Sequence, residues 1–187
     1  YGIFYLECKD CGSLYASSRP SEKDLWTWYR DSKPSLFWRE QILPSSESAR
    51  LEKIIRPRAD WILDGLAEYH NCARQVVDIS PHGRGLLDLL ANESNAIERI
   101  VAAGTTADFE GVSTQKIKVH PTLLSNISDH GKADVIIAVD SLNRAADLKV
   151  FVDILYKTLA PGGLVFVTTT VASGFEIQAL WDKSPTI

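Results

Sequence analysis

The sequence predicts an α/β fold, a doubly wound and mostly parallel sheet with helices on both faces. Short apolar runs alternate with helical patterns from residue 75 onward, and the first run, Val76–Val77, leads through Asp78 into a turn with Gly83 and Gly85. A buried strand, a glycine-bearing turn and a helix start are the parts from which such folds build a nucleotide or cofactor cradle. The turn falls short of a full Gly-x-Gly-x-x-Gly fingerprint, so the sequence defines the fold better than the activity.

Composition narrows the class of partner. The chain has 187 residues, 45% of them hydrophobic, which is enough for one main core and a small appendage. A net charge of -4, a pI near 5.6 and the lack of a basic cluster argue against nucleic acid and anionic membranes and favour a small molecule. No apolar run approaches the roughly 20 residues that span a bilayer, and the first residues lack a signal-peptide layout. We therefore expect a soluble, cytoplasmic protein.

The chain begins with a predicted β-ribbon. Ile3–Leu6 and Ser13–Tyr15 flank a turn that contains Cys8 and Cys11. This cysteine spacing suits a metal ion better than a structural disulfide. Two thiols are half of a tetrahedral zinc site, so further ligands would come from residues ahead of this chain, from Cys72 with a histidine, or from another chain. A tight turn with two free thiols explains the pattern equally well.

A helical segment is predicted ahead of the core. Ser21 followed by Asp24 is an N-cap signature, and the apolar residues after it predict a helix over 21–31. A second helical pattern runs over 45–69, where Pro57 must kink the helix or restart it. The aromatic residues of this second pattern are expected to serve packing rather than a ligand cage.

The core follows as alternating strands and helices. Glycine and proline at 160–163 are expected to end its last helix, as glycine near a helix C-terminus commonly does. The predicted strands are 75–79, 98–103, 116–119, 134–139 and 163–170, and the predicted helices are 84–92 and 147–159.

Several blocks of sequence, in this order and spacing, indicate a family. They are Cys8–Tyr15 with Arg19-Pro20-Ser21, Val76–Ile79 with Gly83-Arg84-Gly85, Asp134–Asn143, and Leu159–Val167. Together they resemble the class I S-adenosylmethionine-dependent methyltransferases, in particular the group with an N-terminal zinc-binding ribbon ahead of a Rossmann-like core. The resemblance implies a partial zinc-ribbon-like segment over 1–20, a helical segment over 21–70 and the core over 71–187.

The resemblance also implies a sheet of seven strands. Only five strands fit before Ile187, so the closing C-terminal strands of the fold are expected to be missing from this chain. An incomplete sheet exposes an edge, and pairing of two copies there would form a homo-oligomer.

The resemblance further implies a cofactor, S-adenosylmethionine, and residues that hold it. In such enzymes the first loop approaches the amino-acid part of the cofactor, and an acid at the end of the second strand binds the ribose hydroxyls. It implies zinc at Cys8 and Cys11, with ligands outside this chain, and leaves the catalytic residues unassigned. The cofactor-binding candidates carried over are Asp78, Ser80, Gly83, Gly85, Ala103, Asp140 and Ser141.

The sequence departs from the family pattern at several site positions. After the second core strand no carboxylate occurs until Asp108, so the ribose acceptor is missing or displaced. The third strand ends at His120, where an acid often contacts the adenine amine. After the fourth strand the Glu-His pair of the family is replaced by Asn143-Arg144, which removes a general base.

The sequence is compatible with two functions. The first is a methyltransferase for a small-molecule or sugar-type acceptor, because holding two reactants in line can lower a barrier by roughly 7–11 kcal/mol without a base. The second is a catalytically inactive methyltransferase-like domain that serves as a binding or scaffolding module. A nicotinamide-dependent oxidoreductase shares the fold class, but the glycine spacing fits it less well.

Overall fold

The computed structural model describes residues 4–69, 73–80, 84–104 and 115–180. Its first element is an antiparallel hairpin of β1 (Tyr5–Glu7) and β2 (Leu14–Ala16), which confirms the predicted ribbon. Within these described ranges, no helix combines the length and the apolar character that crossing a membrane requires.

The core is a five-stranded sheet in which every neighbouring pair of strands is parallel, in the order β5-β4-β3-β6-β7. The chain moves outward from β3 to β5 and then returns to the other side of β3. The sheet therefore has a switch point between β3 and β6, where open α/β sheets bind ligands at the carboxyl ends of their strands. The strands are β3 (Gln75–Asp78), β4 (Arg99–Gly104), β5 (Ile117–Pro121), β6 (Ala133–Val139) and β7 (Leu159–Thr168).

Helices cover both faces of this sheet, as predicted. Val76 of β3 packs in one cluster with α4 and α5, and its neighbour Val77 packs with α6 in the other, because successive strand residues face opposite sides. Both valines are fully buried. The helices are α1 (Glu22–Asp31), α2 (Lys33–Phe37), α3 (Leu43–Arg50), α4 (Arg56–Tyr69), α5 (Arg84–Glu93), α6 (Leu148–Thr158) and α7 (Phe175–Leu180), with 3₁₀ turns at Leu124–His130 and Leu142–Arg144.

Prolines divide the long helical stretch ahead of the core. Pro44 and Pro57 are the second residues of α3 and α4, and a π-helical segment precedes each of these helices, Trp38–Ile42 and Leu51–Ile55. A proline has no N–H to donate and crowds the preceding turn, and a wider turn relieves that crowding. The predicted restart at Pro57 takes this form.

Helix α6 ends within one residue of its predicted end, but the expected glycine cap at 160–163 was wrong. Helix α6 already ends at Thr158, and β7 begins at Leu159 with a register irregularity opposite Ala133. Gly162 has a φ of +77°, and a Cβ on Gly163 would lie 2.7 Å from the carbonyl oxygen of Asp134. These glycines therefore serve an irregular strand pairing rather than a helix cap.

Candidate functional site

A cavity of about 350 Å³ lies at the carboxyl ends of the strands, beside the switch point. Ile79 and Ser80 line it directly after β3, Ala103 and Gly104 at the end of β4, and Ser141 after β6. Helix α6 adds apolar side chains to the wall. A volume of this size is within the range of sites for small molecules and cofactors.

Helix α1 covers this cavity with Trp26 and Tyr29. The helix begins as predicted, since the Ser21 hydroxyl oxygen accepts the N–H of Asp24 at 3.2 Å. The guanidinium of Arg144 lies 4.3 Å from the centre of the Tyr29 ring, which is a cation–π contact. The cover is therefore attached to the turn that follows β6.

Hydrogen bonds from residues at the start of α1 also attach it to the core. Arg19 Nη1 donates to the carbonyl oxygen of Ala145 at 3.0 Å. Glu22 Oε1 accepts the N–H of Ser125 at 3.0 Å. Because Ala145 and Ser125 belong to the segments after β6 and β5, α1 is joined to both sides of the cavity mouth.

Polar side chains tie together the ends of β3 and β6. Asp78 is fully buried, and its Oδ1 accepts the N–H of Ser80 at 3.0 Å. Ser80 Oγ accepts the N–H of Val139 at 3.0 Å, and the Ser141 hydroxyl donates to the carbonyl oxygen of Ile79 at 2.9 Å. Ser80 and Ser141 thus line the cavity and hold the ends of β3 and β6 together. Asp78 is not part of the described cavity wall, but its hydrogen bond fixes the backbone of Ser80.

Asp140 faces a different group of residues. Its Oδ2 accepts a hydrogen bond of 2.9 Å from Arg58 of α4, and Oδ1 accepts one of 3.3 Å from the Thr168 hydroxyl. Its backbone has a φ of +54°, a left-handed conformation that is unusual outside glycine. The described wall of the cavity includes Ser141 but not Asp140, so the role of Asp140 toward the cofactor stays a prediction.

The remaining cofactor candidates differ in position. Ala103 lies on the cavity wall. Gly85 lies in the first turn of α5, where a Cβ would be 3.1 Å from Ile55 Cδ1, so this glycine permits close helix packing. Gly83 and Asp108 lie outside the described residues. The structure thus brings Ser80, Ala103 and Ser141 together on one cavity wall, and their role toward the cofactor stays a prediction.

Sequence reasoning missed the part that α1 plays in the site. Glu22, Trp26 and Tyr29 all line the cavity, and their spacing of four and three residues places them on one face of the helix. That spacing was visible in the sequence. Nothing local indicated that this face meets the strand ends rather than the sheet.

His120 lies at the end of β5, outside the described cavity wall. Its ring centre is 4.3 Å from that of His130, and its Nε2 is buried without a hydrogen-bond partner among the described residues. Burial holds the pKa of His120 below its usual range, and the positive charges of His130, Arg99 and Lys118 lower it further. His120 thus favours its neutral form in the folded protein.

The cysteine pair lies in the turn between β1 and β2. Gly12 has a φ of +69°, and its N–H donates to the Cys8 carbonyl at 2.8 Å. Cys11 Sγ is 3.2 Å from the Ser13 hydroxyl, and this contact, with smaller help from Cys8, lowers the pKa of the Cys11 thiol. Within the part of the chain that the structure describes, no group of three or more His, Cys, Asp or Glu side chains is arranged for a metal.

Comparison with solved structures identifies the fold. The plantazolicin methyltransferase BpumL, in complex with SAH, matches with a TM-score of 0.56 at 12% identity, over 78% of this chain and 57% of that one. The plantazolicin methyltransferase BamL, in complex with SAH and a triazolic desmethylPZN analog, matches with a TM-score of 0.55 at 12% identity, over 74% and 52%. The chain thus spans little more than half the length of these structures.

At this level of identity the likeness defines the fold alone, the Rossmann-like fold of these two methyltransferases. No protein-family model and no curated protein matches the sequence.

Proposed function

We propose that the cavity binds S-adenosylmethionine and that the chain forms the core of a methyltransferase for a small-molecule or sugar-type acceptor. The observation that carries this proposal is a covered cavity at the switch point, where the ends of β3, β4 and β6 meet. SAH, the demethylated form of the cofactor, is bound in both matched structures, which supports the identity of the ligand.

The chemistry of the wall fits this cofactor. Trp26 and Tyr29 offer flat aromatic surfaces that suit an adenine ring or a sulfonium cation, while Ser80 and Ser141 offer hydroxyl groups. Gly104 leaves the end of β4 free of a side chain, so a ligand can approach the backbone there. When bound, the cofactor supplies a methyl group on a positively charged sulfur.

Catalysis is proposed to rest on positioning. The described cavity wall includes no histidine, and the carboxylate of Asp140 is already bound to Arg58 and Thr168. The two carboxylates on this wall, Glu22 and Asp147, each accept a backbone N–H, so the residues of this chain would act by excluding water and by holding the acceptor in line with the methyl group. An acceptor that loses its proton readily is favoured by this arrangement.

A binding module without methyl transfer is the second candidate. It is favoured by the same lack of a histidine on the described wall and by the end of β4, where Ala103 and Gly104 provide no carboxylate for the ribose. Each unmet buried hydrogen bond costs roughly 1–3 kcal/mol, which would weaken the cofactor affinity of the site.

Calorimetric titration with S-adenosylmethionine and SAH tests the proposal. We expect micromolar dissociation constants for the wild type and weaker binding when Trp26→Ala opens the cover. SAH release in the presence of a panel of small acceptors then separates the two candidates, because only the enzyme turns over. A wild-type protein that binds neither ligand contradicts the cofactor assignment.

We also propose zinc at Cys8 and Cys11. The lowered pKa of Cys11 favours the thiolate that zinc requires, and the hairpin turn brings the two cysteines close together. Two further ligands would come from outside the described residues or from a second copy. Zinc content measured by mass spectrometry should be stoichiometric in the wild type and lost in Cys8→Ser with Cys11→Ser. A metal-free wild type contradicts this part of the proposal.

A further inference from the structure

We infer that Glu22 of α1 supplies the carboxylate that binds the ribose hydroxyls of the cofactor, and this inference rests on the proposed function. The end of β4, where the fold commonly has an acid, carries Ala103 and Gly104 instead. A nucleoside in this cavity therefore needs a polar partner from another element, because ribose hydroxyls buried without acceptors weaken binding.

Glu22 lies at the appropriate side of the cavity. It shares the wall with Gly104, whose register partner in β5 is Pro121, and with Thr122 directly after β5. The hydrogen bond from the Ser125 N–H to Glu22 Oε1 holds the carboxylate beside this pair of strand ends. The acid thus approaches the end of β4 from the cover instead of from the strand itself.

The carboxylate of Glu22 has unused hydrogen-bonding capacity. A carboxylate has about four lone-pair positions, and the described residues use one of them, through Oε1. Glu22 is half-buried on the cavity wall, so its second oxygen can accept from neighbouring hydroxyl groups. Hydrogen bonds to an ionised carboxylate are stronger than those between neutral groups.

The other charged residues on the described wall already have structural partners. Arg144 stacks on the Tyr29 ring. Asp147 caps α6, because its Oδ1 accepts the N–H of Val150 at 3.0 Å, and its side chain is exposed. Glu22 is therefore the acid on this wall that combines partial burial with a fixed position and a free oxygen.

A comparison of two ligands on two forms of the protein tests this role. The affinities of SAH and of its 2′,3′-dideoxy analogue are measured by calorimetry for the wild type and for Glu22→Gln, which keeps an acceptor for the Ser125 N–H. We expect Glu22→Gln to weaken SAH binding by about 10-fold or more and to change the affinity of the analogue by less than about 2-fold. Glu47→Gln, the same change at an exposed position of α3, serves as the matched control and should bind both ligands like the wild type.

The other outcomes overturn the inference in distinguishable ways. Equal weakening of both ligands by Glu22→Gln means that Glu22 only attaches α1 to the core. Loss of the preference for ribose hydroxyls in Asp108→Asn, but not in Glu22→Gln, assigns the role to Asp108. In both cases the proposed function stands while this inference fails. If the wild type does not bind SAH, the proposed function fails as well. Circular dichroism confirms that each variant is folded.

Discussion

The carboxylate of Asp140 accepts a hydrogen bond of 2.9 Å from the guanidinium of Arg58, which joins the turn after β6 to helix α4. The backbone of Asp140 is left-handed at this point, and its N–H donates to the Thr168 carbonyl at 3.1 Å. The next residue, Ser141, lies on the cavity wall. The interaction of Asp140 with Arg58 therefore stabilises a strained turn that shapes the site.

Substitutions of Asp140 should separate backbone strain from side-chain bonding. Asn tolerates the left-handed conformation and can still accept from Thr168, whereas Ala does neither, so Asp140→Ala should be less stable than Asp140→Asn by about 1–2 kcal/mol. Urea unfolding measures the difference. Asp129→Ala, at an exposed position, is the control and should stay close to the wild type. Equal stability of the two Asp140 variants would show that the turn relaxes without cost.

Alanine at the two glycines of β7 should destabilise the protein to different degrees. A Cβ on Gly163 meets the backbone carbonyl of Asp134 at 2.7 Å, so Gly163→Ala should cost about 1–3 kcal/mol by overpacking. Around Gly162 the space is open, and Gly162→Ala should cost about 1 kcal/mol from its left-handed φ alone. Thermal unfolding of both variants checks the order. A Gly162→Ala variant less stable than Gly163→Ala would contradict it.

Ser80→Ala should destabilise the protein even without a ligand. The buried N–H of Val139 would lose its acceptor, which costs about 1–3 kcal/mol. Urea unfolding without cofactor measures this effect separately from any loss of binding. Ser125→Ala removes an exposed hydroxyl and keeps the backbone N–H, so it should change the free energy of unfolding by less than about 0.5 kcal/mol. A stable Ser80→Ala variant would mean that water replaces the hydroxyl.

His120 should make the free energy of unfolding fall as the pH drops below neutral. Its pKa is lowered in the folded protein by burial first and then by His130, Arg99 and Lys118, so the unfolded chain binds the proton more readily. Stability is therefore full above the unfolded pKa of about 6.5 and falls as the pH drops through the lowered folded value. Unfolding free energies measured from about pH 7.5 to 5.5 should decline less in His120→Gln than in the wild type. Parallel declines would rule out His120 as their source.

The contact between Tyr29 and Arg144 should set how long a ligand stays bound, because it attaches helix α1 to the turn after β6. Loss of this cation–π contact, worth about 0.5–1 kcal/mol, predicts that Tyr29→Ala loosens the cover and speeds SAH dissociation by about 2–5-fold. Stopped-flow displacement measures that rate. Lys23→Ala, an exposed position of α1, is the matched control and should dissociate like the wild type. An unchanged rate in Tyr29→Ala would place the ligand away from the cover.

Local patterns in the sequence predicted the sheet well. Val76 and Val77 belong to a short apolar run that predicts a buried strand, and they are fully buried on opposite faces. The cap at Ser21 was equally visible, because its acceptor and its N–H lie three residues apart. Such features are formed by residues close together in the chain, so a local sequence pattern is enough to predict them.

Features that depend on distant residues were not predictable in this way. The hydrogen bond between Arg19 and Ala145 and the place of Glu22 on the cavity wall arise only when α1 meets the strand ends. The glycines at 162 and 163 fitted a helix end by composition, and only the register opposite Asp134 reveals their use in a strand. Propensity describes such residues, but tertiary pairing decides their role.

The attachment of α1 also has a consequence for biosynthesis. Arg19 and its acceptor Ala145 are 126 positions apart, so α1 leaves the ribosome long before the turn that holds it has been synthesised. At synthesis rates of about 5–20 residues per second, the apolar face of Trp26 and Tyr29 stays uncovered for roughly 6–25 seconds in the nascent chain. During that interval this face is exposed on the nascent chain, and the cavity closes only after the turn that follows β6 has been synthesised.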